Sequence, residues 1–168
     1  MSTATLEAPA SSKTQSTESA KFKAPDLTQR PPRSPRQKLG GYVILPRAID
    51  KGRAKVANTI GEYHFACPLD QRFLKFVGLE GDALLEQIKA DKGDAEILAW
   101  VNENAKSKRA DWEIAAWSEF QTAKSPDTPA AKEKQAKQIS AINPNRNDII
   151  TGFDLLDLDD HVTFGGRA

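Results

Sequence analysis

The stretch from Leu39 to Gly78 most constrains the fold, because it changes from a helical to an alternating pattern between proline-marked boundaries. Small and apolar residues in its first half follow the i, i+3, i+4 and i+7 spacing of one helix face, at Leu45, Ala48, Ile49, Gly52 and Val56. Pro46 is compatible with a helix only in the first turn. We therefore expect the helix to begin near Leu45, after a flexible Gly40-Gly41 lead-in. A helix kinked at Pro46 is the alternative.

Gly52 lies on the apolar face of this expected helix, where a larger residue would be the better helix former. A glycine at such a position indicates that another backbone passes close to the helix. We therefore expect a larger side chain at this position to overpack the contact.

The second half of the stretch predicts an extended arm followed by another helix. Tyr63 and Phe65 alternate with His64 and Ala66, a period of two that suits a short β-arm near residues 62–66. Pro68 then opens a helix over residues 71–77, which Gly78 ends. We expect the arm to fold against the first helix and leave a cleft between them.

Helix start signals continue through the rest of the chain, at Asp82, Asp94, Asp111, Thr128 and Asn147. The helix after Asp111 is expected to bury Trp112, Ala115, Ala116 and Phe120, with Ile114 and Trp117 widening that face. The weakly apolar helix after Thr128 is expected to be peripheral. The last helix is expected over residues 147–158, with a short extended end at residues 162–164. The sequence thus predicts a mainly α domain of about six short helices over residues 26–166.

The N-terminal part divides into two segments. Residues 1–25 contain almost no large apolar side chain, which predicts a disordered tail. Residues 26–38 form a proline- and arginine-rich arm packed on the domain, and a polyproline II helix would align Arg30, Arg33 and Arg36 along one edge. These guanidinium groups either bind the phosphates or carboxylates of a partner or strap onto the domain's own acidic segment at residues 154–160. Both interpretations remain open at this point.

Composition excludes several classes of protein. The formal net charge of +1 provides no global field for nucleic acid or an anionic membrane, so nucleic-acid binding is unlikely. A single cysteine excludes an internal disulfide and a cysteine-only metal site. No apolar run reaches the roughly 18 residues that span a bilayer, and the start of the chain lacks an apolar signal segment. We expect a cytoplasmic protein that does not enter a membrane.

Reactive groups are few. His64 and Cys67 are three residues apart, so in an extended segment their side chains point to opposite faces. Asp154, Asp157, Asp159 and Asp160 crowd beside His161, but they lack the spacing of an EF-hand loop, and a solvated face is favoured over a metal site. The chain lacks a phosphate loop, a nucleophile elbow and paired zinc-ligand motifs. We therefore assign neither metal nor cofactor.

Several segments together resemble one family: RPPRSPR, LGGYVILPRAIDKGRA, GEYHFACPLDQRFLKFVG and FDLLDLDD. The chain is similar to the bacterial family catalogued as domain of unknown function number five thousand and sixty-nine, over about residues 26–166. The resemblance implies a small, largely helical bacterial domain. It brings no activity, cofactor or catalytic residue with it.

The residues themselves favour a binding module for a small anionic ligand or a partner protein. Cationic, aromatic and amide groups converge where the first helix meets the arm, and the helix also carries Lys51 and Lys55 among its charges. The ligand-binding residues are predicted to be Arg47, Asp50, Arg53, Tyr63, His64 and Cys67. The alternative is an enzyme with Cys67 as nucleophile and His64 or His161 as base. Arg30, Arg33 and Arg36 are the predicted partner-binding residues.

Overall fold

The computed structural model describes residues 23–168, which form seven α-helices and no β-strand. The helices are α1 (Leu45–Val56), α2 (Pro68–Val77), α3 (Gly81–Lys89), α4 (Asp94–Asn104), α5 (Asp111–Ala123), α6 (Pro129–Ile142) and α7 (Gly152–Thr163). The mainly α prediction is confirmed. No helix within residues 23–168 is both long and apolar enough to cross a membrane.

Helix α1 lies at the centre of the domain. It begins at Leu45 with Pro46 in its first turn, as expected. Nine of its 12 residues are buried, and it packs against α2 and α3. Val56, which the pattern placed on the apolar face, is instead 46% exposed at the last position. Because the buried residues include charged ones, the helix needs partners on several sides.

The residue before α1 has an unusual backbone. Ile44 is fully buried with a φ of 73°, in the left-handed region that β-branched residues rarely adopt. Its N–H donates to the carbonyl of Pro35, and its own carbonyl accepts from Ala48. The Gly40-Gly41 lead-in is a tight turn in which both glycines have positive φ, closed by mutual hydrogen bonds between Leu39 and Tyr42. These contacts fix the direction in which α1 leaves the turn.

The core gathers side chains from six of the helices and from the turn before α1. Tyr42 packs edge-on against the Phe73 ring, with ring centroids 5.4 Å apart, and Phe76 stacks on Trp117 at 4.5 Å. Fully buried members of the core include Val43, Ile49, Leu74, Val77, Leu84, Ile97, Val101 and Phe153. Helix α6 buries none of its residues, so its expected peripheral position is confirmed.

The expected β-arm is not present. Residues 61–67 instead form turns: Tyr63 N–H donates to the Ile60 carbonyl, and Ala66 has a φ of 57°. The alternating pattern was misleading because the segment has no neighbouring strand to pair with in the described chain. Its aromatic side chains pack directly on helices, with Phe65 against Gly52. Helix α2 then begins at Pro68 and ends at Gly78, whose φ is 71°.

Helix α5 buries only the edge of its expected apolar face. Ile114 is buried and Trp117 packs against the core, as expected, but Trp112, Ala115, Ala116 and Phe120 are exposed, with Trp112 at 73% and Phe120 at 58%. Ser118 and Gln121 are buried instead. The Ser118 hydroxyl donates to the Gly41 carbonyl at 2.7 Å and accepts from the Val43 N–H at 3.3 Å. The turn before α1 buries backbone groups that need hydrogen-bond partners, and this requirement outweighs the burial of the two aromatic rings.

Helix α7 begins and ends about five residues later than expected. Thr151 and Asp154 form a reciprocal capping box, in which the Thr151 hydroxyl accepts from Asp154 N–H and the Asp154 carboxylate accepts from Thr151 N–H. This cap starts the helix at Gly152 rather than Asn147. The helix then continues through Thr163, so the prediction of an extended end at residues 162–164 is wrong.

The arm before α1 lies on the domain. Arg33 donates to Asp50 on α1 and to Asp94 on α4, and Arg36 donates to Asp154 and Asp157 on α7. The two guanidinium groups therefore point to different helices rather than along one edge. Arg30 is exposed. The predicted tail lies mostly outside the described residues, but within its last three residues Pro25 is buried and its carbonyl accepts from the Thr59 hydroxyl.

Gly52 is a close contact, as predicted, although the neighbours are side chains rather than a backbone. A Cβ at this position would lie 2.4 Å from Ile88 Cδ1 and 3.1 Å from Phe65 Cε2. We expect Gly52→Leu to lower the free energy of unfolding by about 1–3 kcal/mol through overpacking, measured by urea denaturation. Gly152→Leu is the matched control, because a Cβ there meets no heavy atom within 4 Å. Equal stability of the two variants would contradict the tight contact.

Candidate ligand-binding site

A cavity of about 560 Å³ opens between α1, the turns at residues 61–67, the start of α2 and the end of α7. We call it the site cavity. Its polar wall contains Arg47, Lys51, Tyr63, His64, Cys67 and Asp160. Apolar surface comes from Leu27, Leu69, Leu156 and Phe164, and two exposed acids, Glu62 and Asp159, complete the rim. The cavity therefore combines an apolar surface with a few buried polar groups, the usual composition of a small-molecule pocket.

Four of the six residues predicted to bind a ligand line the site cavity: Arg47, Tyr63, His64 and Cys67. Asp50 and Arg53 lie elsewhere. Asp50 accepts from the Arg33 guanidinium, and Arg53 contacts Asp94 and the Lys92 carbonyl. The helical period explains why only some residues of α1 line the cavity. Residues four apart share a helix face, so Lys51 lines the cavity together with Arg47, whereas Asp50 and Arg53 lie on other faces.

The first polar cluster joins α1 to α7. Arg47 donates from both terminal nitrogens to the Asp160 carboxylate, at 2.7 and 3.1 Å, and Tyr63 donates its hydroxyl to the same carboxylate at 2.7 Å. The Arg47 guanidinium also lies 5.5 Å from the Tyr63 ring centre. Burial opposes the charge on Arg47, but the hydrogen bonds and charge of Asp160 outweigh it and raise the arginine pKa. Burial and then the hydrogen bond to Asp160 raise the pKa of Tyr63, so the phenol remains protonated.

The second polar cluster joins α1 to α2. Lys51 Nζ lies 2.8 Å from Asp70 Oδ1 and 3.2 Å from Cys67 Sγ, and the Lys51 and Asp70 side chains are 3% and 2% exposed. Burial raises the pKa of the Asp70 carboxyl. The charge and hydrogen bond of Lys51 and the backbone N–H groups of Ala66 and Cys67 offset this only in part. Lys51 and Cys67 face the cavity, with Asp70 behind them.

Neither histidine contacts the cysteine. His64 is exposed at the cavity, and the hydrogen bonds of the described residues include none between His64 and Cys67. His161 faces another hollow, where its Nε2 lies 3.2 Å from the Arg167 carbonyl oxygen. The hydrogen-bond partner of the sulfur is the ammonium of Lys51, at 3.2 Å.

The acidic residues near the C-terminus face different partners. Asp154 and Asp157 contact Arg36, Asp160 contacts Arg47, and Asp159 is exposed at the cavity rim. Across residues 23–168, no three or more His, Cys, Asp or Glu side chains are grouped so as to hold a metal ion. Within the described chain, Asp154, Asp157 and Asp160 are therefore partners for arginines.

Lys51, Asp70 and Asp160 were not among the predicted ligand-binding residues. Lys51 was considered only as one of the charges on the first helix, although it follows Arg47 by four positions on the same helix. Asp160 was considered only within the acidic segment, because 113 residues separate it from Arg47 and no local pattern pairs the two. No sequence signal linked Asp70 to Lys51.

The fold and this site define a small all-α domain with an ion-paired cavity. A family model for the domain of unknown function DUF5069 matches residues 29–162, and the chain belongs to that family. No curated protein matches the chain.

The Arg47–Asp160 pair provides a test of the site's architecture. We expect Asp160→Asn to lower the free energy of unfolding by about 3–5 kcal/mol, because it leaves the Arg47 charge buried without a carboxylate. Asp159→Asn, one residue earlier and exposed, is expected to change stability by less than about 0.5 kcal/mol. Urea denaturation of both variants measures the difference. A cost for Asp160→Asn no larger than that of its neighbour would show that the pair does not hold α7 against α1.

Proposed function

We propose that this domain binds a small organic molecule in the site cavity. The observation that carries the proposal is the cavity itself, whose volume of about 560 Å³ lies within the range of roughly 300–1,000 Å³ typical of ligand pockets. Its polar groups are held in place before any ligand arrives, since Arg47, Tyr63 and Lys51 already have fixed partners. A site arranged in this way loses little conformational freedom when it binds.

The charges around the cavity disfavour an anionic ligand. Arg47 and Lys51 each have their own carboxylate partner, Asp160 and Asp70, and the two rim acids add negative charge. An anion would have to share Arg47 with Asp160 in a site without surplus positive charge. A neutral molecule with an apolar body and one hydrogen-bonding group meets no such competition. The sequence led us to expect an anionic ligand, and the experiment below tests this alternative together with the neutral ligand.

Three probes of matched shape separate these versions: benzamide is neutral, benzoate is anionic and benzylamine is cationic. We expect benzamide to produce the largest saturable shifts in amide NMR spectra, at residues 61–67 and at Arg47 and Lys51. Thr28→Trp, at an exposed lining position, should weaken these shifts, whereas Gln29→Trp, exposed one residue further, should not. Largest shifts with benzoate would favour the anionic version. Shifts spread outside the cavity with all three probes would overturn the proposal.

A second candidate function is an enzyme that uses Cys67 as nucleophile. The observation in its favour is the position of the thiol, which lines the cavity 3.2 Å from the Lys51 ammonium. A neighbouring cation stabilises the thiolate that attacks an electrophile.

We also infer a cytoplasmic location, because a reducing compartment keeps such a thiol free.

Alkylation of Cys67 tests this second candidate. Because the chain has one cysteine, the uptake of iodoacetamide reports on that thiol alone. We expect the folded protein at pH 7 to be alkylated faster than the urea-unfolded chain, since only the folded state holds Lys51 beside the sulfur. Cys67→Ser measures the background on other side chains. Alkylation that requires denaturation would identify a structural thiol and remove the enzyme candidate.

A further inference from the structure

Lys51 combines three features that a purely structural ion pair does not require. Its side chain is 3% exposed, its ammonium is paired with an equally buried carboxylate, and it nevertheless borders a cavity large enough for a small molecule. A lysine that only links α1 to α2 would be as effective away from any cavity. Its position places a primary amine at the wall where a ligand would lie.

Asp70 is the natural proton acceptor for this amine. Its Oδ1 lies 2.8 Å from Lys51 Nζ, which is within reach of a direct proton transfer. Burial raises the pKa of this carboxyl, so it holds a proton more readily than an exposed aspartate does.

We propose that Lys51 captures the carbonyl group of an aldehyde or ketone ligand as an imine, with Asp70 moving the proton. This inference rests on the proposed function, because the ligand must first enter the site cavity. It also deepens that function by naming the ligand's chemical class. A carbonyl compound is neutral and polar, so it does not compete with Asp160 for Arg47 or with Asp70 for Lys51.

The chemistry balances without a further reactant. Asp70 accepts a proton from the Lys51 ammonium, and the free amine attacks the carbonyl carbon, forming an N–C bond. A proton moves from nitrogen to oxygen to give the neutral carbinolamine. Asp70 then returns its proton to the hydroxyl group, the C–O bond breaks and water leaves. The product is a protonated imine beside an ionised Asp70, so the ion pair present before the reaction is restored.

The apolar surface of the cavity restricts the rest of the ligand. Leu69 and Leu156 line the cavity together with Phe164, and these side chains suit a short hydrocarbon or aromatic body. The rim acids Glu62 and Asp159 disfavour a negatively charged group on the part of the ligand that lies at the mouth of the cavity. The class of ligand is thus a small aldehyde or ketone without a carboxylate or phosphate.

Reductive trapping tests the proposal on the full-length protein. The protein is incubated with limiting benzaldehyde and sodium cyanoborohydride at pH 7, and the modified lysines are identified by peptide mass spectrometry. We expect Lys51 to be modified faster than the exposed Lys134 on α6 by on the order of a hundredfold, the low end of the effect of a positioned proton acceptor. Modification of Lys51 no faster than Lys134 would overturn the proposal.

Two variants test the role of Asp70. Asp70→Asn should reduce the rate at Lys51 to that of Lys134, and circular dichroism checks that the variant is folded. Asp82→Asn, which changes an exposed acid on α3 outside the cavity, should keep the fast reaction, and an equal loss in this variant would overturn the role given to Asp70. If the benzamide shifts map to the cavity but Lys51 is not trapped, the imine inference fails and the proposed function stands. If neither occurs, both fail.

Discussion

The structure depends on how the charges of α1 are neutralised inside the domain. Arg47 and Lys51 are buried on one helix, and each buried charge would be prohibitively costly without a partner. Asp160 and Asp70 provide those partners from α7 and α2. The two ion pairs therefore favour the placement of α2 and α7 beside α1. They also join the walls of the cavity, because each pair links two of the elements that surround it.

The N-terminal arm extends this arrangement to the outside of the helical domain. Arg33 joins α1 to α4 through Asp50 and Asp94, and its backbone carbonyl accepts from Arg47. Hydrogen bonds and charge from Arg33 and Arg53 outweigh the effect of burial and lower the pKa of Asp94, which therefore remains ionised. The arm thus contributes to the same network that positions the site. Partner binding by Arg30, the exposed member of the three arginines, stays a prediction.

The sequence was most informative where a local rule determined the structure. Pro46 placed the start of α1, Gly78 placed the end of α2, and Thr128 with Pro129 placed the start of α6. The sequence was least informative where contacts between residues far apart in the chain determined the structure. Ser118 on α5 is buried because its hydroxyl donates to the turn before α1, and no pattern within α5 indicates this contact. The alternating residues of the expected arm had no strand to pair with.

The site shows the same division between local and distant information. Arg47, Tyr63, His64 and Cys67 were selected from one short stretch, and turns and helix ends brought them to one cavity. Asp50 and Arg53 were chosen from the same helix, but the helical rotation carries them to another side. Asp160 lies 113 residues from Arg47 and entered the site only through the packing of α7. A pattern of charges on one helix cannot indicate which of them will meet a distant carboxylate.

Ile44 has a consequence that reaches beyond its own position. A left-handed backbone at a β-branched residue costs about 1–3 kcal/mol, so the surrounding core must enforce it. Arg47 follows three residues later, on the first turn of α1. Any loosening of the core that let this peptide relax would also redirect the guanidinium. The geometry of the cavity at the edge of the domain therefore depends on tight packing at its centre, and a change that loosens the core also disturbs the cavity.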